Sequence, residues 1–150
     1  LVAVLRDCGV EPTEELVATM LEADRELIAE LAVVHPDTVP FLEGLRAAGV
    51  RTAFVSNCAD NTRPMLDALG LTGLVDELVL SCEVGSAKPD PGIFSTALAR
   101  LGVPAGRAVL VDDQQSFCEG AAALGIATIR IDRTGETGQV ATLAEVSAYL

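Results

Sequence analysis

Two neighbouring carboxylates follow an aliphatic run in the segment VLVDDQQ at 109–115. The run VLV is typical of a strand buried on both faces, and an unpaired charge buried beside it would be costly. Asp112 and Asp113 are therefore expected at the edge of a sheet, where a cation offsets their mutual repulsion. Adjacent carboxylates suit a hard divalent cation such as Mg2+, which prefers oxygen ligands and usually keeps waters and substrate phosphate. The pair predicts a metal site.

Two further segments carry side chains that could bind an anion. Ser56 and Asn57 end a β-rich run, and Lys88 lies in a loop after the next predicted strand. A serine hydroxyl can hydrogen-bond phosphate oxygens, and a lysine can neutralise their charge. Taken alone, Ser56 could be a turn residue, Lys88 a loop charge, and Asn57 and the acidic pair helix caps. These structural alternatives stay open for each residue.

The elements that would position these residues alternate along the chain. The sequence patterns predict strands at 51–57, 77–81, 107–113 and 126–132 and helices at 38–48, 61–71, 91–102, 115–125 and 140–150. Such alternation predicts βαβ units, and hence a Rossmann-like α/β fold of three layers with helices on both faces of a parallel sheet. Because ligands bind beyond the carboxyl ends of such strands, we expect all the candidate residues at one edge.

The front of the chain has a different, all-helical pattern. Apolar residues recur at helical spacing across 12–33, Thr13 is a candidate N-terminal cap, and Pro36 ends the pattern. We therefore predict a boundary that separates a helical section, 1–34, from an α/β core, 35–150.

Composition limits the class of protein. The 150 residues are 50% hydrophobic, which is ample for a packed core. A formal net charge of −12 argues against nucleic acid as a partner, because proteins that neutralise its phosphates are basic. No apolar run reaches the roughly 20 residues of a membrane span, and no secretory signal pattern is seen, so we expect a cytoplasmic protein without a membrane partner. The four cysteines form no C-x-x-C motif, so we expect reduced, mostly buried thiols.

Three motifs together resemble those of a known family. VSN at 55–57, KPDPGIF at 88–94 and VLVDDQQSFCEGAAALG at 109–125 are similar in order and separation to the second, third and fourth motifs of the haloacid dehalogenase-like (HAD) hydrolase superfamily. The front section likewise resembles the latter part of the small helical cap that many members carry. The resemblance implies a HAD-like core with part of a cap.

The resemblance also implies a role for each candidate residue. Ser56 would bond the transferring phosphoryl group, and Asn57 would contact it or orient its neighbours. Lys88 would hold the phosphate and the nucleophilic carboxylate together by charge. Asp113 would bind Mg2+, and Asp112 would support it directly or through water. The acidic pair favours the phosphatase branch, with a small phosphorylated metabolite as partner. The resemblance implies that the dehalogenases of the superfamily have a Ser-Ser-Asn arrangement in place of the acidic pair and need no metal.

One motif of the family has no match in the sequence. This first motif, an Asp-x-Asp pair on a strand ahead of the cap, supplies the nucleophile that forms an aspartyl-phosphate and the general acid and base. Asp7 and Asp24 lie in cap-like sequence and do not fit it. In the family that strand is central, between the strands ending here at Ser56 and Asp113. We therefore expect the nucleophile upstream of this chain, and expect the chain by itself to be inactive.

Two other classes of function are alternatives. A non-catalytic HAD-like module could bind a phosphorylated ligand or a protein with the same residues. A receiver domain of a signalling protein also combines paired acids, a hydroxyl and a lysine, but its acids come first and its lysine last, unlike the order here. An exposed sheet edge could pair with a second copy of the chain, so a homodimer is a further expectation.

Overall fold

The computed structural model describes the backbone of all 150 residues and every side chain except those at 25 and 28–31. The chain divides into two compact units, Leu1–Val33 and Val34–Leu150. Within the described part of the chain, no helix combines the length and the apolar character that a membrane crossing would need.

The front unit contains two helices, α1 (Val2–Asp7) and α2 (Glu14–Leu31). Helix α2 confirms the amphipathic helix expected from the sequence. The Thr13 hydroxyl accepts a hydrogen bond from the Leu16 N–H at 3.2 Å, so Thr13 acts as the expected cap. Helix α1 has no counterpart in the sequence prediction. The assignment of this unit to a cap stays a prediction.

The second unit alternates helices and strands as predicted. Its elements are α3 (Thr38–Ala47), β1 (Ala53–Ser56), α4 (Thr62–Ala68), β2 (Glu77–Leu80), α5 (Ser81–Val84), α6 (Pro91–Leu101), β3 (Val109–Asp112), α7 (Gln115–Ala122), β4 (Ala127–Arg130) and α8 (Leu143–Val146). Every predicted strand and helix of this unit is confirmed, with somewhat shorter ends. The one-turn helix α5 was not predicted, since four residues carry too little periodicity to indicate a helix.

The four strands form two parallel pairs. β1 pairs with β2 so that Ser56 lies opposite Leu80, and β3 pairs with β4 so that Asp112 lies opposite Arg130. The Rossmann-like α/β class with parallel strands is confirmed. In the described residues no ladder joins the two pairs. This agrees with the sequence, which has no match to the strand that the family places between those ending at Ser56 and Asp113.

Helix α6 contributes to a core shared by both strand pairs. Ile93 and Phe94 of α6 are 0% and 2% exposed and cluster with Val79 of β2. Val55 of β1 and Leu110 of β3 pack against the same cluster. Burial of large apolar side chains stabilises a fold by roughly 1.5 to 3 kcal/mol each. This shared core therefore holds the two strand pairs together.

Candidate active site

A buried ion pair lies at the carboxyl end of β3. The Lys88 ammonium is 2.6 Å from Asp112 Oδ2, and the two side chains are only 10% and 6% exposed. The other carboxylate oxygen of Asp112 accepts a hydrogen bond from the Gln114 N–H at 3.0 Å. Among the described residues Asp112 is the one buried polar or charged residue. Since a buried charge is tolerated when it is paired and hydrogen-bonded, Lys88 and Asp112 stabilise each other in place.

The side chain of Asn57 fixes the backbone of Lys88. Asn57 Nδ2 donates to the Lys88 carbonyl at 2.7 Å, and Asn57 Oδ1 accepts from the Lys88 N–H at 2.6 Å. The backbone N–H and carbonyl of Lys88 are thus both held by the side-chain amide of Asn57, which can donate and accept at once. Asn57 directly follows β1 and Asp112 ends β3. Lys88 consequently bridges the ends of the two strand pairs.

The loop around Lys88 is further ordered by Asp90 and by an aromatic ring. Asp90 Oδ1 accepts from the Gly92 N–H at 2.7 Å and from the Ser86 hydroxyl at 2.9 Å, and Asp90 is the N-cap of α6. The Lys88 ammonium lies 4.8 Å from the centre of the Phe117 ring on α7, within the range of a cation–π interaction. Phe117 was not predicted as a site residue, because in sequence a phenylalanine in an amphipathic helix is indistinguishable from a core residue.

Ser56 and Asp113 are adjacent in sequence to Asn57 and Asp112, but their side chains make no hydrogen bond with the residues around Lys88. Ser56 is half-buried at the last position of β1, and Asp113 is exposed in the bend after β3. Within the described residues neither side chain has a hydrogen bond or an ion pair. The contacts therefore unite Asn57, Lys88 and Asp112, and leave the Ser56 hydroxyl and the Asp113 carboxylate available.

The carboxylates of Asp112 and Asp113 offer oxygen atoms of the kind that a hard cation binds. Among the described side chains no group of three or more His, Cys, Asp or Glu could hold a metal ion. Asp112 uses both oxygens within the protein, whereas Asp113 offers an unpaired, exposed carboxylate next to it. These oxygen donors are of the type that Mg2+ prefers, and a Mg2+ ion usually completes its shell with waters and substrate phosphate. The residues therefore fit Mg2+ as part of a ligand set.

Two alternatives that the sequence left open are wrong: helix capping by Asn57, and helix capping by the acidic pair Asp112 and Asp113. The N-cap position of the helix after Asn57 is Asn61, and the N-cap position of α7 is Gln114. Asp112 binds the N–H of that N-cap residue and so does not occupy the cap position itself. Capping thus does not account for Asn57 or for the acidic pair.

The thiols are less buried than expected. Of the four cysteines Cys118 is buried, Cys58 is half-buried, and Cys8 and Cys82 are exposed. The expectation of mostly buried thiols is therefore wrong. Strand β2 ends at Leu80, and Cys82 lies on the short helix α5, which the sequence did not predict.

Comparison with known proteins identifies the family. The model of the haloacid dehalogenase-like hydrolases matches residues 4–125. The chain belongs to this family. Its fold is also that of solved members: a HAD phosphatase from Thermococcus onnurineus is 30% identical with a TM-score of 0.79, over 97% of this chain and 67% of that structure.

Curated relatives include both phosphatases and dehalogenases. A glyceraldehyde 3-phosphate phosphatase of Methanopyrus kandleri is 36% identical over 87% of this chain and 57% of its own length. An (S)-2-haloacid dehalogenase 1 of a Pseudomonas species is 34% identical over 86% of this chain and 55% of its own length. The chain therefore spans a little over half the length of these relatives.

Proposed function

We propose that this chain is the phosphate-binding and Mg2+-binding part of a HAD-family phosphatase that acts on a small phosphomonoester. The nucleophilic aspartate and its general acid and base partner would come from an Asp-x-Asp segment upstream. The observation that carries the proposal is the position of Lys88, whose ammonium is held by Asp112 and whose backbone is held by Asn57.

The Lys88 ammonium supports binding of an anionic ester. An ammonium carries three N–H donors, and the protein contact at 2.6 Å to Asp112 uses one of them. The remaining donors could reach a phosphate oxygen and the nucleophilic carboxylate, which would bring two negatively charged groups together. Side-chain burial supports this role, since a charge interacts more strongly where water is excluded.

Ser56 and Asn57 would serve the phosphoryl group in different ways. The Ser56 hydroxyl has no partner among the described residues, so it is free to donate to a phosphoryl oxygen at the end of β1. The Asn57 amide is used by the Lys88 backbone, which supports the orienting role among the two that the resemblance implied. Asn57 is thus a positioning residue in this proposal.

Asp113 is the metal ligand that we propose, with Asp112 in support. Bound Mg2+ would neutralise charge on the phosphate during transfer. Asp113 would hold the ion directly through its unpaired carboxylate, whereas Asp112 would act by fixing Lys88 and the start of the bend. The acidic pair also supports a phosphatase over a dehalogenase, although relatives of both kinds are known.

The relatives suggest which esters to try first. Proteins similar to this chain are named glyceraldehyde 3-phosphate phosphatase and ribulose-1,5-bisphosphate 5-phosphatase, so phosphorylated sugars are the substrate class that we propose. The cap role of the front unit, the cytoplasmic location and a homodimer also belong to the proposal and rest on the sequence alone.

The test is hydrolysis of p-nitrophenyl phosphate and a panel of sugar phosphates by a protein carrying this chain behind its upstream segment. We expect release of phosphate with Mg2+ and none after chelation with EDTA. Asp113→Asn should abolish Mg2+-dependent turnover while leaving the unfolding midpoint unchanged, because Asp113 has no partner among the described residues. Activity undiminished by EDTA, or by Asp113→Asn, would refute the metal assignment, and phosphate binding without hydrolysis would favour the non-catalytic module.

A further inference from the structure

Two cysteine thiols face each other beside the loop that follows β1. Cys58 Sγ lies 3.8 Å from Cys82 Sγ. The register of the sheet brings them together, since Cys58 is two residues beyond Ser56, Cys82 is two residues beyond Leu80, and Ser56 and Leu80 are paired across β1 and β2. The pairing of β1 with β2 therefore places the two thiols side by side.

Hydrogen bonds hold the two backbones in this arrangement. The Cys58 N–H donates to the Ser81 hydroxyl at 2.9 Å, and that hydroxyl donates to the Cys58 carbonyl at 3.3 Å. The Cys82 thiol donates to the Ala59 carbonyl at 3.3 Å. A disulfide requires sulfur atoms about 2.05 Å apart, so closure from 3.8 Å needs the two thiols to approach by about 1.8 Å.

The two thiols differ in the way that sequential oxidation requires. Partial burial opposes ionisation of Cys58, but hydrogen bonds from Thr62 and from Cys82 outweigh it and lower the pKa of the Cys58 thiol. Local desolvation and the neighbouring Cys58 sulfur raise the pKa of Cys82, which is exposed. Because the thiolate is the reactive form, Cys58 is the first to react with an oxidant, and Cys82 is positioned to resolve the product.

We propose that Cys58 and Cys82 form an oxidative modification site, at which a hydroperoxide converts the two thiols into a reversible disulfide. The Cys58 thiolate attacks the peroxide oxygen, which breaks the O–O bond, gives a sulfenic acid and releases an alcohol, or water when the oxidant is hydrogen peroxide. The Cys82 sulfur then attacks the sulfenic sulfur, and the hydroxyl leaves as water. Two thiols and one hydroperoxide thus yield one disulfide, one alcohol and one water. This site does not depend on the proposed phosphatase function.

The disulfide would tie the loop after β1 to helix α5. Cys58 adjoins Asn57, whose side chain holds the Lys88 backbone. Oxidation therefore places a covalent constraint one residue from the network that positions Lys88. A second effect is that the link would close the chain between residues 58 and 82, which restricts the unfolded state.

The experiment is peptide mapping of the chain after hydrogen peroxide or dithiothreitol treatment and blocking of free thiols. Trypsin leaves both cysteines in one peptide, because Arg63 and Lys88 each precede a proline. Cleavage after glutamate separates them at Glu77, which gives one peptide with Cys58 and another with Cys82. We expect these two peptides joined after peroxide, with a mass about 2 Da below their sum, and separate after dithiothreitol.

Matched variants identify the partners of the link. Cys8→Ser removes another exposed thiol and should leave the joined peptides unchanged, whereas Cys58→Ser and Cys82→Ser should each abolish them. The peptide map of the wild-type protein shows whether the Cys58 and Cys82 peptides are joined even if a variant fails to fold. The proposal is overturned if peroxide leaves both thiols free, or oxidises each separately to a sulfinic acid. It is also overturned if either thiol forms a disulfide with Cys8 and not with the other.

Discussion

The Lys88 ammonium and the Asp112 carboxylate lie 2.6 Å apart and are almost completely shielded from water. They come from separate parts of the chain: Lys88 lies in the loop between α5 and α6, after the β1–β2 pair, and Asp112 is the last residue of β3. An ion pair in such surroundings contributes little net stability, because desolvation offsets most of the attraction. Its consequence is geometric: neither charge can be moved without leaving the other buried and uncompensated.

Removing one charge should therefore destabilise the fold strongly. Asp112→Asn leaves the Lys88 ammonium buried without a counter-charge, and we expect the free energy of unfolding to fall by about 3 kcal/mol in a urea titration. The double variant Lys88→Met with Asp112→Asn should lose less than the sum of the two single losses, because the orphaned charge is gone.

Glu83→Gln provides the control for this ion pair. Glu83 pairs with Arg63 at 2.7 Å, but both side chains are well exposed, at 37% and 43%. Solvent screens such a pair, so we expect no measurable change of the urea midpoint. Equal effects of Asp112→Asn and Glu83→Gln would contradict the burial argument.

The Asn57 amide is expected to control the placement of Lys88. Asn57→Asp replaces the donor to the Lys88 carbonyl by a charged oxygen that can only accept, whereas Asn57→Ala loses both bonds without adding a charge. In the protein with its upstream segment, we expect both variants to raise KM for a phosphomonoester, with aspartate worse than alanine because its charge faces the Lys88 carbonyl oxygen and repels an anion. A purely structural role would instead lower the amount of folded protein without changing KM.

The sequence predicted the elements of the second unit because its strands are short aliphatic runs and its helices are apolar–polar patterns that end at glycines. It also placed Asn57, Lys88 and Asp112 together, since parallel strands deliver their carboxyl ends to one edge. The contact with Phe117 and the thiol pair of Cys58 and Cys82 were not predictable, because each depends on how side chains meet across elements. Periodicity gives the face of an element and does not give its partner.

Two glycines should respond oppositely to alanine. A Cβ on Gly120 of α7 would lie 2.6 Å from the Pro89 carbonyl oxygen, in the loop that carries Lys88, whereas nothing lies within 4 Å of a Cβ on Gly44 of α3. We expect Gly120→Ala to lower the free energy of unfolding by about 1 to 3 kcal/mol through overpacking. Gly44→Ala should raise it by roughly 0.5 to 1 kcal/mol through helix propensity.

The same two variants, Gly120→Ala and Gly44→Ala, test how the Lys88 loop packs against α7. Because the Gly120 clash falls on backbone, relief requires the loop or α7 to move, so Gly120→Ala should also weaken binding of inorganic phosphate to the full protein. Gly44→Ala should leave phosphate binding unchanged. If both variants are equally stable, the close approach of Pro89 to α7 is wrong.

Acid should weaken the turn after β4 through Asp132. Its carboxylate accepts bonds from the Thr134 hydroxyl and N–H and from the Thr137 N–H and hydroxyl, at 2.7 to 2.9 Å, and these donors hold its pKa well below the ordinary value. A depressed folded-state pKa gives stability that is fully present above the unfolded pKa, about 3.9, and is lost as pH falls through the folded value. The stability difference between wild type and Asp132→Asn, measured by urea unfolding, should therefore shrink on going from about pH 5 to about pH 2. Thr137→Val, which removes one hydroxyl donor, should reduce this pH dependence, and a difference that stays constant across the range would rule out the carboxylate as its source.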